Sequence, residues 1–210
     1  MSTEKKPHPA DAWNNRYKDP AFAYGIEPNE FLAQQLKGLK PGSILFPAEG
    51  EGRNAVYAAK LGWKVSAFDI SIEGRNKAHT LAAQENVTLH YQIGNLEDLY
   101  YQSNQFDAIA LIYAHFPPAI RKNYLHQLKK YLKPEGTLIV EAFGQNHLTY
   151  RNKNEKVGGP PIPDLLYDIN ELQSIFSDFE HIYAKEEVVE LAEGLYHNGK
   201  GSVVRFIGKK

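Results

Sequence analysis

The sequence predicts an α/β three-layer sandwich built on a mostly parallel, Rossmann-like sheet. Three observations predict it. Apolar strand-like runs alternate with helix-patterned segments along the first two thirds of the chain. The earliest such unit, residues 44–69 (ILFPAEGEGRNAVYAAKLGWKVSAFD), reads strand, glycine loop, Ala-rich helix, strand. The last two strand-like runs follow one another with no helix between them, so they need not run parallel to the others.

Taken in order, residues 1–9 are polar, charged and interrupted by prolines, the composition of a disordered tail. A short helix is expected over 10–17 and a second over 28–39, with Phe31, Leu32, Gln35 and Leu36 on one side. Trp13, Tyr17, Phe22 and Tyr24 are each explicable as packing residues, but as a group before the first strand they make residues 10–40 a candidate helical lid. In the 44–69 unit, Gly50 and Gly52 allow a tight turn and close backbone approach to a ligand, and the helix they open presents unpaired N–H groups. Asp69 closes the second strand, where a carboxylate can accept from both hydroxyls of a ribose.

Residues 72–85 have helix composition, and 87–93 alternate strictly (Val87, Leu89, Tyr91, Ile93), as a half-exposed edge strand does. The run at 106–113 is almost continuously apolar and fits a central strand covered on both faces. A helical stripe follows over 117–132, then a buried strand over 137–143. Residues 144–166, with GGPPIP, are too long and aperiodic for an ordinary connection and are expected to form an active-site insertion. A helix is expected over 167–176, with Asp168 and Glu171 as a capping-box variant, and strands around 181–191 and 202–207 flank EGLYHNGKG. With no repeat and no linker, residues 10–210 read as one domain.

Composition narrows the function. A net charge of −1 gives no global field for capturing nucleic acid. The chain has no cysteine, which excludes disulfides, thiolate catalysis and Cys-ligated metal centres. No histidine pair has i,i+4 spacing and no acidic run resembles a calcium loop, so no metal is expected. The absence of an apolar leader or spanning run makes a cytoplasmic protein without a membrane partner the default, as monomer or homodimer.

In an open parallel sheet the ligand lies outside the carboxyl ends of the strands. That collects the loops after Phe46, Asp69, Ile93, Tyr113 and Phe143 into one crevice. Gly50, Gly52 and Ala55 also match the dinucleotide fingerprint, so an NAD-dependent oxidoreductase stays open at this point.

The wider pattern resembles class I S-adenosylmethionine-dependent methyltransferases, particularly the tellurite-resistance-like group and its uncharacterised relatives. The resemblance rests on WNNRY and YGIEPNEFL within 13–32, AEGEGRNA at 48–55, FDIS at 68–71, LKPEG at 132–136, EAF at 141–143, GGP at 158–160 and EGLYHNGK at 193–200. It implies a seven-stranded sheet with a reversed final hairpin, S-adenosylmethionine as cofactor with S-adenosylhomocysteine as product, and methyl transfer to a small-molecule acceptor. It implies that Glu49, Gly50, Glu51 and Gly52, with Arg53 and Asn54, lie against the methionine portion, Asp69 on the ribose, Ile70 beside the adenine, and Asn95 and Leu96 at its edge. Tyr113 and the lid residues Trp13, Arg16 and Tyr17 complete the cofactor surface. Members commonly carry an acid where this chain has Phe46, glycine where it has Ala48 and Glu135, and aspartate where it has Asn95. Glu49 or a backbone carbonyl would then hold the methionine ammonium. A catalytically silent S-adenosylmethionine-binding protein is the further alternative.

Methyl transfer is an in-line displacement at a sulfonium, so positioning dominates and a base matters only for a protonated acceptor. Tyr24 and Tyr113 are candidates for aromatic faces near the sulfonium. His115, just past a central strand, is a candidate proton acceptor, the alternative being a histidine that caps a helix or packs at the rim. His197, with Glu193 and Tyr196, is a second candidate cluster in the last hairpin that would reach over the substrate, the alternative being an exposed turn. Arg53 is a candidate for the cofactor carboxylate or an anionic substrate, or else a solvent-facing helix residue, and Glu141 for orienting a histidine, or else a buried carboxylate that serves structure alone.

Overall fold

The computed structural model describes residues 8–210. Most of the expected tail lies outside the described residues, but its last two are ordered: His8 caps helix α1 (Pro9–Tyr17), its Nδ1 accepting from Ala10 N at 3.2 Å. The chain continues through α2 (Glu30–Gly38), β1 (Ser43–Pro47), α3 (Arg53–Lys60), β2 (Lys64–Asp69), α4 (Ile72–Gln84) and β3 (His90–Ile93). After these come β4 (Phe106–Ile112), α5 (Pro118–Tyr131), β5 (Leu132–Phe143), α6 (Leu148–Arg151), α7 (Ile169–Ile175), β6 (Glu180–Glu193) and β7 (His197–Lys209).

The sheet has seven strands in the order β3-β2-β1-β4-β5-β7-β6. The pairs from β3 to β5 are parallel, and β7 lies antiparallel between β5 and β6. This is the expected three-layer sandwich with a reversed C-terminal strand. The apolar runs are continuous because both faces are covered. In β1, Leu45 joins the core formed with α5 and α7, while Ile44 and Phe46 join the opposite core with α2 and α3. Phe46 is therefore a fully buried packing residue and does not face the crevice.

Several boundaries differ from expectation. Only a 3₁₀ turn, Leu96–Asp98, joins β3 to β4, so one β/α alternation lacks its helix. The edge strand β3 is four residues long, because Val87 and Leu89 precede its pairing with β2. The hairpin strands are longer than expected and leave only residues 194–196 as the turn. Asp168 accepts from Asn170 N at 2.9 Å without a reciprocal bond from Glu171, which pairs with Arg121 at 3.1 Å. The 144–166 insertion is folded into α6 and three 3₁₀ turns around fully buried Val157 and His147, and its ends meet through a bridge between Gly144 and Tyr167. Among the described residues no helix is long and apolar enough to cross a membrane.

Candidate active site

After β1 the chain enters the left-handed region at Ala48 (φ 52°), Gly50 (φ 65°) and Gly52 (φ 88°). The glycines also admit neighbours. A Cβ on Gly52 would lie 2.4 Å from the Cβ of Ala78, so α4 packs directly against the loop. Gly52 is the N-cap of α3 and has no side chain to offer its N–H groups, and Glu49 supplies the missing acceptor: its Oε1 lies 2.7 Å from Ala55 N. Burial pushes the Glu49 carboxyl up to about 8, against the pull of the Ala55 N–H and Arg53. Glu49, expected on the cofactor, is thus turned into its own helix.

Asp69 is buried and accepts from Gly50 N (3.0 Å) and Ser71 N (2.8 Å). Burial raises its carboxyl to about 6, and these N–H groups oppose the rise. A carboxylate offers about four acceptor positions, so capacity remains for ribose hydroxyls. Gly94 N donates to Asp69 O at 3.0 Å, which sets the Asn95 loop beside half-buried Ile70. Ile93 and Asn95 are exposed at this rim, and Leu96 is buried beneath it. An acid flanked by apolar walls and an amide has the chemistry to take an adenosine.

The N-terminal segment lies over this corner. Tyr17 is buried and stacks on Trp13 at 5.5 Å, and a Cβ on Gly50 would sit 2.7 Å from its hydroxyl. Asn14 Oδ1 accepts from Ser71 Oγ at 2.7 Å. Glu51, expected against the cofactor, instead accepts from Ala23 N at 2.8 Å and from Lys77 Nζ at 2.7 Å. Arg16 donates to the Tyr24 hydroxyl at 3.0 Å and lies over the rings of Tyr196 (4.4 Å) and Trp13 (5.7 Å). The hairpin holds the same segment from the other side, through Leu195 N to Ala23 O at 2.8 Å.

Next to this N-terminal segment is a cavity of about 230 Å³ whose lining includes Tyr24, Asn29, Arg53, Tyr113, Glu141 and Arg205. Two carboxylates organise its polar wall. Glu141 accepts from Asn29 Nδ2 (2.6 Å), the Tyr113 hydroxyl (2.9 Å) and Arg205 Nε (2.6 Å). Glu193 accepts from Asn29 Nδ2 (3.1 Å), Arg53 (2.9 Å) and His197 Nδ1 (2.9 Å). Burial alone would raise the Glu193 carboxyl, but the His197 hydrogen bond and the Arg53 charge hold it at about 2. His197 is buried among the rings of Tyr24 and Tyr113, each 4.5 Å away, and Phe143 at 5.2 Å. Burial lowers its pKa, with Glu193 opposing, so the neutral ring donates Nδ1–H to Glu193 and keeps Nε2 as an acceptor.

Other candidates have different partners from those expected. Arg53 neither faces solvent nor points an open guanidinium at the cofactor, being closed on Glu193 and Glu27 O. Glu141 orients Arg205 and Tyr113, not a histidine. Asn54 Oδ1 accepts from Asn29 N at 2.9 Å. His115 has both ring nitrogens occupied by the main chain, Nδ1 by Leu165 O at 2.9 Å and Nε2 by Phe143 N at 3.3 Å. In this arrangement it has no lone pair to offer a substrate, and it ties the insertion to the sheet. Sequence reasoning missed Asn29, Arg205 and Lys77. The signal for Arg205 was present as a lone cation within the apolar strand SVVRFI, which demands a buried partner.

Residues 44–136 match the family model described as a methyltransferase domain. An uncharacterized protein of Mycobacterium tuberculosis is 30% identical over 138 residues, covering 62% of this chain and 50% of the relative. The chain thus spans about half the length of the curated relatives it matches. TehB from Haemophilus influenzae superposes with a TM-score of 0.70 at 17% identity over 96% of this chain and 66% of that one. Magnesium protoporphyrin IX methyltransferase from Synechocystis, solved with bound S-adenosylhomocysteine, gives 0.65 at 15% identity over 95% and 93% of the two chains. The fold is that of the class I methyltransferases.

Proposed function

We propose that this chain, a class I methyltransferase by its fold and by the domain at residues 44–136, transfers a methyl group from S-adenosylmethionine to a small-molecule acceptor in the cytoplasm. The observation that carries the reading is the Glu193–His197 pair, held 2.9 Å apart between Tyr24 and Tyr113, on the hairpin that bonds the same N-terminal segment that lies against Gly50. A second support is the sheet order. Dinucleotide-binding oxidoreductases use an all-parallel 3-2-1-4-5-6 sheet, whereas here β7 is inserted antiparallel between β5 and β6.

When bound, S-adenosylmethionine supplies a methyl carbon on a positively charged sulfur, which an acceptor atom takes in line as the C–S electron pair returns to sulfur. Asp69 accepts from the ribose hydroxyls, with Ile70 and Asn95 flanking the base. The ring faces of Tyr24 and Tyr113 favour the sulfonium charge. His197 Nε2 receives the proton the acceptor sheds, while Glu193 fixes the tautomer and stabilises the resulting imidazolium. Arg53 keeps Glu193 ionised, and the lid excludes water.

Calorimetric titration with S-adenosylmethionine, S-adenosylhomocysteine and NAD tests the cofactor, and transfer of labelled methyl into a metabolite extract tests the activity. Binding of NAD alone overturns the reading. Binding of S-adenosylhomocysteine with no transfer to any acceptor leaves a silent binding protein.

A further inference from the structure

We infer that Asn29, in the YGIEPNEFL segment, is a positioning residue that couples lid docking to the orientation of His197. It is 2% exposed and its hydrogen-bonding capacity is divided among four elements. Its backbone N donates to Asn54 Oδ1 on α3 (2.9 Å). Its Oδ1 caps α2 through Leu32 N (2.9 Å). Its Nδ2 donates to Glu141 Oε1 on β5 (2.6 Å) and to Glu193 Oε1 on β6 (3.1 Å).

The chemistry of that amide is specific. Both carboxylates use their other oxygen for a cation, Arg205 for Glu141 and Arg53 for Glu193. Their Oε1 atoms converge on one neutral amide nitrogen with two N–H groups, which separates two buried negative charges and adds no charge of its own. Serine keeps the helix cap but cannot reach both acids. Aspartate keeps cap and shape but sets a third carboxylate against the other two. Because Asn29 closes the loop that leads into α2, within the segment that covers the site, its arrival completes the Glu193 hydrogen-bond shell. Glu193 in turn holds His197 Nδ1–H, so the base takes its competent tautomer only with the lid in place.

This inference rests on the reading of His197 as the base, and the two fail separately. Nitrogen-15 spectra of histidine-labelled full-length protein report the His197 tautomer without any acceptor. The wild type should show Nδ1 protonated and Nε2 bare at neutral pH. In Asn29→Ser the tautomers should mix, turnover should fall roughly tenfold to a hundredfold, and S-adenosylhomocysteine affinity should hold within about threefold, since no Asn29 contact reaches Asp69 or Ile70. In Asn29→Asp the added carboxylate should move His197 titration upward. A single wild-type tautomer in Asn29→Ser, or an unmoved titration in Asn29→Asp, overturns the inference and leaves Asn29 a helix cap. If instead His197→Ala retains transfer, the base assignment falls while the tautomer result stands.

Discussion

Glu49 Oε1 accepts from the backbone N–H of Ala55 at 2.7 Å, so α3 is capped from inside the loop that precedes it. The helix needs this because its N-cap is Gly52. Glu49→Ala should therefore cost on the order of 1 kcal/mol in denaturant unfolding. Below pH 4.5 the Glu49 carboxyl is neutral in both folded and unfolded chains, so Glu49→Gln should match wild type there; at pH 7 the unfolded carboxyl is ionised while the folded one, pushed up to about 8, is mostly neutral, so the Gln variant should be the more stable. The sign follows: protonated Glu49 stabilises fully below its ordinary 4.5, and that contribution is lost as pH rises through about 8. The Gln variant should lose this slope.

Ala48 and Glu135, where the resemblance leads one to expect glycine, are both left-handed, at φ 52° and 65°. A side chain there costs about 1–2 kcal/mol, partly offset by the smaller entropy loss on folding compared with glycine. Ala48→Gly should raise stability by roughly 0.5–1 kcal/mol, read as a higher denaturant midpoint at unchanged m-value. A drop would mean that Ala48 packing outweighs its backbone strain.

The strands were legible because β1, β4 and β5 are covered on both faces and so are apolar at successive positions. The acid at Asp69 and the glycine loop were legible because backbone geometry leaves few residues that serve there. Partner choice was not. Glu49, Glu51 and Arg53 are adjacent in a motif, yet one caps α3, one holds Ala23 and Lys77, and one reaches Glu193, 140 positions away in sequence. Local spacing carries no information about which distant element satisfies a buried charge. For the same reason His115 stayed open between a proton acceptor and a capping or packing histidine: its crevice position was visible, but the Leu165 and Phe143 main-chain groups that occupy it were not.

Those contacts make acid sensitivity predictable. Phe143 N donates to His115 Nε2, and Ser202 N donates to His147 Nδ1 at 3.3 Å, so protonating either ring sets N–H against N–H. Burial lowers both pKa values, that of His115 to about 4. A depressed histidine contributes stability that is present above its ordinary 6.5 and lost as pH falls through about 4, on the order of 3 kcal/mol for His115. Between pH 6.5 and 4 the amides of Phe143 and Ser202 should exchange faster, and proteolysis should concentrate in 144–166. His115→Gln should flatten the loss, and an unchanged slope would exclude His115 as its source.

Gly194 touches the N-terminal segment backbone to backbone: a Cβ there would lie 2.3 Å from Gly25 N and 2.4 Å from the Tyr24 carbonyl carbon. With φ at 59°, and main chain rather than a flexible side chain in the way, Gly194→Ala must displace the 23–25 segment. The Leu195 amide, bonded to Ala23 O, should lose exchange protection while the β1 and β4 amides keep theirs. Retained protection at Leu195 would show that the hairpin does not anchor the N-terminal segment.

Asp69 has two tasks, and one variant separates them. It accepts from Gly50 and Ser71 N–H, and on the proposed reading it also accepts from ribose hydroxyls. Asp69→Ala should lower the stability of the ligand-free protein, since buried N–H groups lose their acceptor. A ligand at a hundred times its dissociation constant adds about 2.7 kcal/mol of stability. S-adenosylhomocysteine at that concentration should therefore raise the wild-type melting temperature by several degrees and leave Asp69→Ala unmoved. Asp69→Asn keeps an acceptor for only one of the two N–H groups, which use different carboxylate oxygens, so without ligand it should melt below wild type, and it should show a reduced ligand shift. An undiminished shift in both variants would place the nucleotide away from the end of β2.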